Sequence, residues 1–167
     1  MSRFPLQHAS PLISEDEAHR RESFELSHAL CGIWRDLRAE GRAQRAAIDP
    51  VRLGPRLLPH LVILTVLDGG ADFQWRLFGG AHVDEYGVNL TGAKLSEIMA
   101  QQDGVEEVRQ IFQACQRSAE PTFYSIRYLS RDRVLRACNG VILPLFADDG
   151  TTVEHLLGCS QWIDVRP

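Results

Sequence analysis

The stretch FQWRLFGGAHVDEYGVNLTG, residues 73–92, decides how this chain is read. An aromatic and aliphatic run ends at Gly79-Gly80, a short polar segment with one tyrosine follows, and Thr91-Gly92 closes the stretch. Glycine permits the backbone angles that end a strand abruptly, so the pattern predicts strand, sharp turn, short helix and second turn. Arg76 stands in the middle of the strand among Phe73, Trp75, Leu77 and Phe78. A guanidinium left buried and unpaired is costly. Arg76 therefore either pins the turn through an ion pair with Asp84 or Glu85, or faces a ligand.

Just upstream, LVILTVL at 61–67 is continuously apolar and rich in branched residues, which suits a buried strand. Asp68-Gly69-Gly70 supplies the turn that joins it to 73–78 as a hairpin. The Pro- and Gly-containing stretch 49–59 separates a helical extension, residues 1–59, from a sheet domain, residues 60–167. Residues 1–13 read as a loose arm with Pro5 and Pro11. Ser14 with Glu17 is a capping box, which predicts a helix running to about Glu40 with a break near Gly32. Leu26, Leu30, Ile33 and Leu37, with Trp34 beside them, give this helix an apolar stripe. The stripe packs either on its own domain or on a second copy, and these five residues are the candidate dimer interface.

Downstream, Leu95, Ile98 and Met99 suggest a helical turn. Asp103 is a cap for a longer helix over 104–117 that places Val105, Val108, Ile111, Phe112 and Cys115 on one face, and Pro121 stops it. Strands are expected at 122–129, 134–146 and 153–165, separated by the turns Ser130-Arg131-Asp132 and Ala147-Asp148-Asp149-Gly150. This order predicts an α+β fold, a five-stranded antiparallel sheet with its helices gathered on one face plus the N-terminal helical extension.

The composition narrows the function. A chain of 167 residues with 44% apolar and 24% charged residues has the profile of one soluble globular domain. A net charge of -4 argues against nucleic acid, whose phosphates require a concentrated positive surface. No apolar run approaches the length of a membrane span, and the first residues lack the apolar centre of a signal peptide, so a cytoplasmic location is expected. Cys31, Cys115, Cys138 and Cys159 are far apart, which suits free buried thiols, with redox sensing the minor alternative. His155 with Cys159, and His82 with Asp84, fall short of three metal ligands, so no metal site is expected.

The sequence resembles the PAS family, and within it a bacterial subfamily with an N-terminal helical extension. The matching motifs are Trp34-Arg35, Ile48-Asp49-Pro50, Leu57-Leu58-Pro59, Trp75-Arg76-Leu77-Phe78-Gly79, Tyr86-Gly87 and Leu90-Thr91-Gly92, spread over residues 33–163. Gly80-Ala81 departs from the threonine that the pattern puts after the glycine. The resemblance implies a sensory and dimerisation module with a pocket between the sheet and the short helices. Carried over by position, the pocket candidates are Arg76, Tyr86, Leu95, Phe112, Tyr124, Arg127 and Tyr128. Which face of the sheet points inward stays open, because Tyr124, Ile126 and Tyr128 alternate with Phe123, Ser125, Arg127 and Leu129.

The resemblance also bears on cofactors. Flavin photosensors of this family carry a reactive cysteine in an asparagine-cysteine-arginine motif, which does not occur here, and the 104–118 helix has no histidine to ligate haem, leaving Cys115 as the one thiol candidate there. The cofactor is otherwise unspecified. No kinase or cyclic-dinucleotide synthase region follows within these residues, so signalling is expected through a separate effector protein, with a small metabolite as ligand and a homodimer as the assembly. Arg127, Arg131, Arg133 and Arg136 cluster around one hairpin, either as solvated strand ends or as a seat for a carboxylate or phosphate. No serine elbow or phosphate-binding glycine loop is present, and no catalytic residue is assigned. A ligand-free interaction module and a small α+β enzyme are the alternatives.

Overall fold

The two apolar runs of the hairpin form adjacent strands in the computed structural model, which describes residues 10–102 and 105–166. In chain order the elements are β1 (Leu12–Ile13), α1 (Glu15–Arg20), α2 (Glu25–Ala39), β2 (Leu61–Leu67), β3 (Asp72–Phe78), α3 (Gly80–Tyr86), α4 (Leu95–Met99), α5 (Glu106–Ser118), β4 (Thr122–Leu129), β5 (Leu135–Phe146) and β6 (Val153–Asp164). They build an antiparallel sheet in the order β1-β4-β5-β6-β2-β3. The sheet thus has six strands where the sequence predicts five. The additional one is a two-residue edge, Leu12 opposite Tyr124 and Ile13 opposite Phe123, inside what reads as a loose arm. Two residues are too few for an alternating pattern to register. The cap expected at Asp103 lies outside the described residues.

The single N-terminal helix expected from Ser14 to Glu40 is two helices. Ser14 does accept a hydrogen bond from the Glu17 amide at 3.1 Å, and Gly32 lies inside an unbroken α2. The break falls at 21–24, where Ser23 takes a φ of 65° and Phe24 turns inward to pack near Phe123. The start of α2 has no local side-chain cap; instead Gln161 of β6 accepts a hydrogen bond from the Leu26 amide at 2.9 Å. An unpaired amide at a helix start needs a partner, and here a distant strand provides it.

Consecutive strand residues point to opposite faces, and this separates the helices. Phe123 and Gln161 meet the α2 side, whereas Tyr124 and Ser160 meet the side of α3, α4 and α5. As expected, α3, α4 and α5 are therefore gathered on one face, and the N-terminal extension covers the other. Leu26, Leu30 and Trp34 are buried against the chain's own sheet, and Trp34 Nε1 donates to the Pro144 carbonyl at 2.7 Å. This corrects the assignment of the stripe to a dimer interface. Leu37 packs partly on the same core, and Ile33, 36% exposed, is the member left at the surface. Proline is poorly tolerated inside a sheet because it cannot donate to a neighbour. Pro144 is accommodated because β4 ends at Thr122 opposite Ile142, short of it.

Arg76 is also corrected. The β2–β3 register shifts between Ile63 and Leu64, whose partners are Leu77 and Trp75, so Arg76 is the extra residue of a β-bulge. It is exposed, and its Nε donates to Thr65 Oγ1 at 3.0 Å instead of meeting Asp84, Glu85 or a cavity. Replacing Arg76 with methionine should change the urea midpoint by less than about 0.5 kcal/mol of stability, the range of surface substitutions. A loss of several times that would show a structural role for the guanidinium.

Candidate functional site

Between the inner sheet face and the three helices α3, α4 and α5 lies a cavity of about 420 Å³. Its walls are aromatic and aliphatic: Val62, Trp75 and Ile142 come from the sheet, and Ile98, Val108 and Phe112 from the helices. Val88 and Leu129, 45% and 62% exposed, form an apolar lip.

The glycines at 79 and 80 place α3 beside this space. Gly79 donates to the Leu61 carbonyl at 2.9 Å, and the chain passes so close to 59–61 that a side chain at Gly79 would collide with the Pro59 carbonyl. α3 then runs inward with His82 buried, and Gly87 ends it with a φ of 74°. His82 Nε2 bonds the His60 carbonyl at 3.1 Å, so that nitrogen carries the hydrogen. Its ring sits edge-on to Trp162 at 4.9 Å. Burial, with a smaller effect of His60, lowers the His82 pKa from 6.5 to about 3.

The other polar groups converge on one corner of the cavity. In the cross-strand register Tyr124 faces Gly140, and Gly140 faces Ser160. Because Gly140 has no side chain, the tyrosine reaches across it and its hydroxyl meets Ser160 Oγ at 2.5 Å. The Cys138 thiol lines the same cavity, and Trp162 Nε1 donates to the Tyr86 hydroxyl at 3.0 Å. Burial pushes the pKa values of Tyr86, Tyr124 and Cys138 up, so hydroxyls and thiol stay protonated. Outside this corner, Glu85 accepts from Tyr128 and from Arg136 Nε at 2.7 Å, and Arg136 also reaches Asp164.

Of the sequence candidates, Tyr86, Phe112, Tyr124 and Tyr128 line the cavity. Leu95 is buried in the core instead, and Arg76 and Arg127 are exposed on strand positions that alternate away from it. Of the arginine cluster, Arg136 is taken up by Glu85 and Asp164, while the Arg131 guanidinium lies against Gly87. His82, Cys138 and Ser160 were missed. For Cys138 and Ser160 the signal, alternation with Asn139 and Gln161 along paired strands, depends on a register that one sequence does not display, and His82 lies on α3.

The wall does not fit a flavin-linked cysteine. α3 and α4 contain none, and Cys138 is a protonated thiol on β5. Cys115 is fully buried with Sγ directed at the Ile142 and Glu120 carbonyls, and α5 has no histidine. Among the described residues no group of three or more His, Cys, Asp or Glu could hold a metal ion.

The neutral His82 makes folding pH-dependent. Between the unfolded value of 6.5 and the folded value of about 3, the unfolded chain binds a proton that the folded one refuses. The contribution is complete above 6.5 and is lost as pH falls toward 3, by about 1.4 kcal/mol per pH unit. Urea titrations at pH 7.5 and 5.0 should show a stability drop in the native chain that is about 2 kcal/mol smaller in His82→Gln. Equal drops would show that His82 does not carry the effect.

An antiparallel sheet flanked by short helices beside an apolar cavity is the build of a small α+β domain. The family model described as PAS domain matches residues 23–161, and this chain belongs to the PAS domain family. Members of that family are sensory signalling modules, generally without enzymatic activity. Among solved structures, the LOV protein of Rhodobacter sphaeroides is 10% identical with a TM-score of 0.49, over 65% of this chain and 61% of that one. A sensory box sensor histidine kinase from Vibrio cholerae is 13% identical with a TM-score of 0.47, over 64% and 82%. The PAS domain of Bordetella pertussis BvgS is 20% identical with a TM-score of 0.41, over 64% and 75%. A search of curated proteins finds no match. Among the described residues no helix is long and apolar enough to cross a membrane.

Proposed function

We propose that this chain is a sensory module that binds a small metabolite in the cavity and passes its occupancy to a separate signalling partner. The observation that carries this is the cavity itself, about 420 Å³ of mostly apolar wall with a few convergent hydrogen-bonding groups at one corner. Ligand pockets have that make-up, with volumes of about 300–1,000 Å³. The fold alone hosts many functions, so the site has to carry the assignment. A ligand-free interaction module is the second reading, favoured by the exposed apolar lip of Val88 and Leu129.

Native mass spectrometry with an absorbance spectrum on the same sample tests the two. A discrete added mass, whatever the subunit count, supports the sensory reading. Bare polypeptide with no visible absorbance, together with no thermal shift across a metabolite panel, moves the assignment to the interaction module. The subunit count bears on the assembly: a homodimer would have to use surfaces other than the buried side of α2.

A further inference from the structure

We propose that the ligand is uncharged and mostly apolar, and that it carries one oxygen acceptor of the carbonyl class, seated at the Tyr86, Tyr124, Ser160 and Cys138 corner. This rests on the reading of the cavity as a ligand site and specifies its chemistry. The first ground is the absence of charge: among the described residues no Lys, Arg, Asp or Glu lines the cavity. Arg76 and Arg127 are exposed elsewhere, and His82, the one basic group at the wall among the described residues, is neutral. Glu85 is held by Tyr128 and Arg136. A charged head entering this corner would lose its water and gain no countercharge.

The second ground is a count of hydrogens. A hydroxyl donates one hydrogen and accepts through two lone pairs, while a thiol is weak in both roles. The Tyr124–Ser160 bond consumes one of the two hydrogens in that pair and leaves the other. The Tyr86 oxygen is already an acceptor, from Trp162, and keeps its own hydrogen. The Cys138 thiol, which lines the same cavity, is only a weak acceptor for either. The corner therefore keeps two hydroxyl hydrogens to give. A ligand oxygen placed there would receive what the sulfur takes poorly, and a carbonyl does so without bringing a donor of its own.

A carboxylate is also an acceptor, so the two grounds must be weighed against each other. The burial that holds the Tyr124 and Cys138 protons in place acts on a ligand acid in the same direction. To enter protonated at pH 7.5, a carboxylic acid with an ordinary pKa near 4.3 forfeits about a thousandfold in affinity. Neutral hydroxyl donors recover part of that, so an expected preference of at least about thirtyfold for the uncharged acceptor remains.

Calorimetric titration of the intact chain at pH 7.5 with three probes of one shape, 2-acetylnaphthalene, 2-ethylnaphthalene and 2-naphthoate, separates these contributions. A parallel pair, 2-nonanone and octanoate, covers flexible ligands. The expected order is ketone tightest, hydrocarbon about tenfold weaker and carboxylate weakest. Tyr124→Phe should bring ketone and hydrocarbon within about threefold of each other, and Ser160→Ala, a smaller change, should do the same if the tyrosine variant is unstable. Carboxylate binding as tight as ketone, in either series, overturns the inference while the sensory reading stands. Ketone and hydrocarbon binding equally in the native chain also overturns it. Failure of all five probes to bind at millimolar concentration overturns the ligand site and the inference together.

Discussion

Trp34→Ala should cost about 3–5 kcal/mol of stability while leaving the sedimentation mass unchanged. The stability loss is that of truncating a large aromatic in a well-packed core. Trp34 is 3% exposed, and its indole nitrogen is the partner of the Pro144 carbonyl. Losing that donor adds an unsatisfied acceptor to the cavity left by the ring. The mass is expected to hold because the residue faces β5 of its own chain and not a neighbour. A shift to half the mass with an unaltered urea midpoint would place Trp34 between subunits and reverse the assignment. Trp34→Phe should recover most of the packing loss and none of the hydrogen bond.

The second large effect is expected at Gly79. Its φ of -60° suits any residue, so the demand for glycine here comes from space and not from the backbone angle. A methyl group would collide with the Pro59 carbonyl and lie 2.8 Å from the Leu61 oxygen. Both obstacles are backbone, which cannot rotate aside as a side chain can. Gly79→Ala should therefore cost about 3 kcal/mol, near the upper end for overpacking. At this chain length that lowers the melting temperature by about 6–12 °C. Gly80→Ala is the internal control, since nothing lies within 4 Å of its added carbon, and it should leave stability unchanged or slightly improved. Equal behaviour of the two variants would show that the turn does not press on 59–61.

Much of the architecture could be read from local pattern. The hairpin, the α5 face and the last three strands are each bounded by turn residues and carry periodicities that survive in a single sequence. The misreadings share a cause, which is dependence on residues far away in the chain. The break between α1 and α2 is held by Phe24 on Phe123 and by Gln161 on the Leu26 amide, 135 residues apart. The exposure of Arg76 follows from a bulge that exists only relative to β2. In the cavity, the large aromatics Tyr86, Phe112, Tyr124 and Tyr128 were legible through the family resemblance. Ser160 and Cys138 were not: Ser160 has no signature until Gly140 is known to lie between it and Tyr124, and Cys138 has none until its strand is paired with Ile126 and Trp162.

The alternation of β5 and β6 has a mechanical consequence. Cys138 and Ser160 belong to the cavity corner, while their immediate neighbours Asn139 and Gln161 hold the chain entering α2, through the Glu22 carbonyl at 3.2 Å and the Leu26 amide at 2.9 Å. One peptide unit in each strand thus separates the two sides of the sheet, so the sheet acts as a diaphragm. A ligand that tilted these strands by a few tenths of an ångström would pull both tethers at once, with no relay of side chains in between. The first turn of α2 is where amide exchange rates would record the arrival of a molecule on the far side.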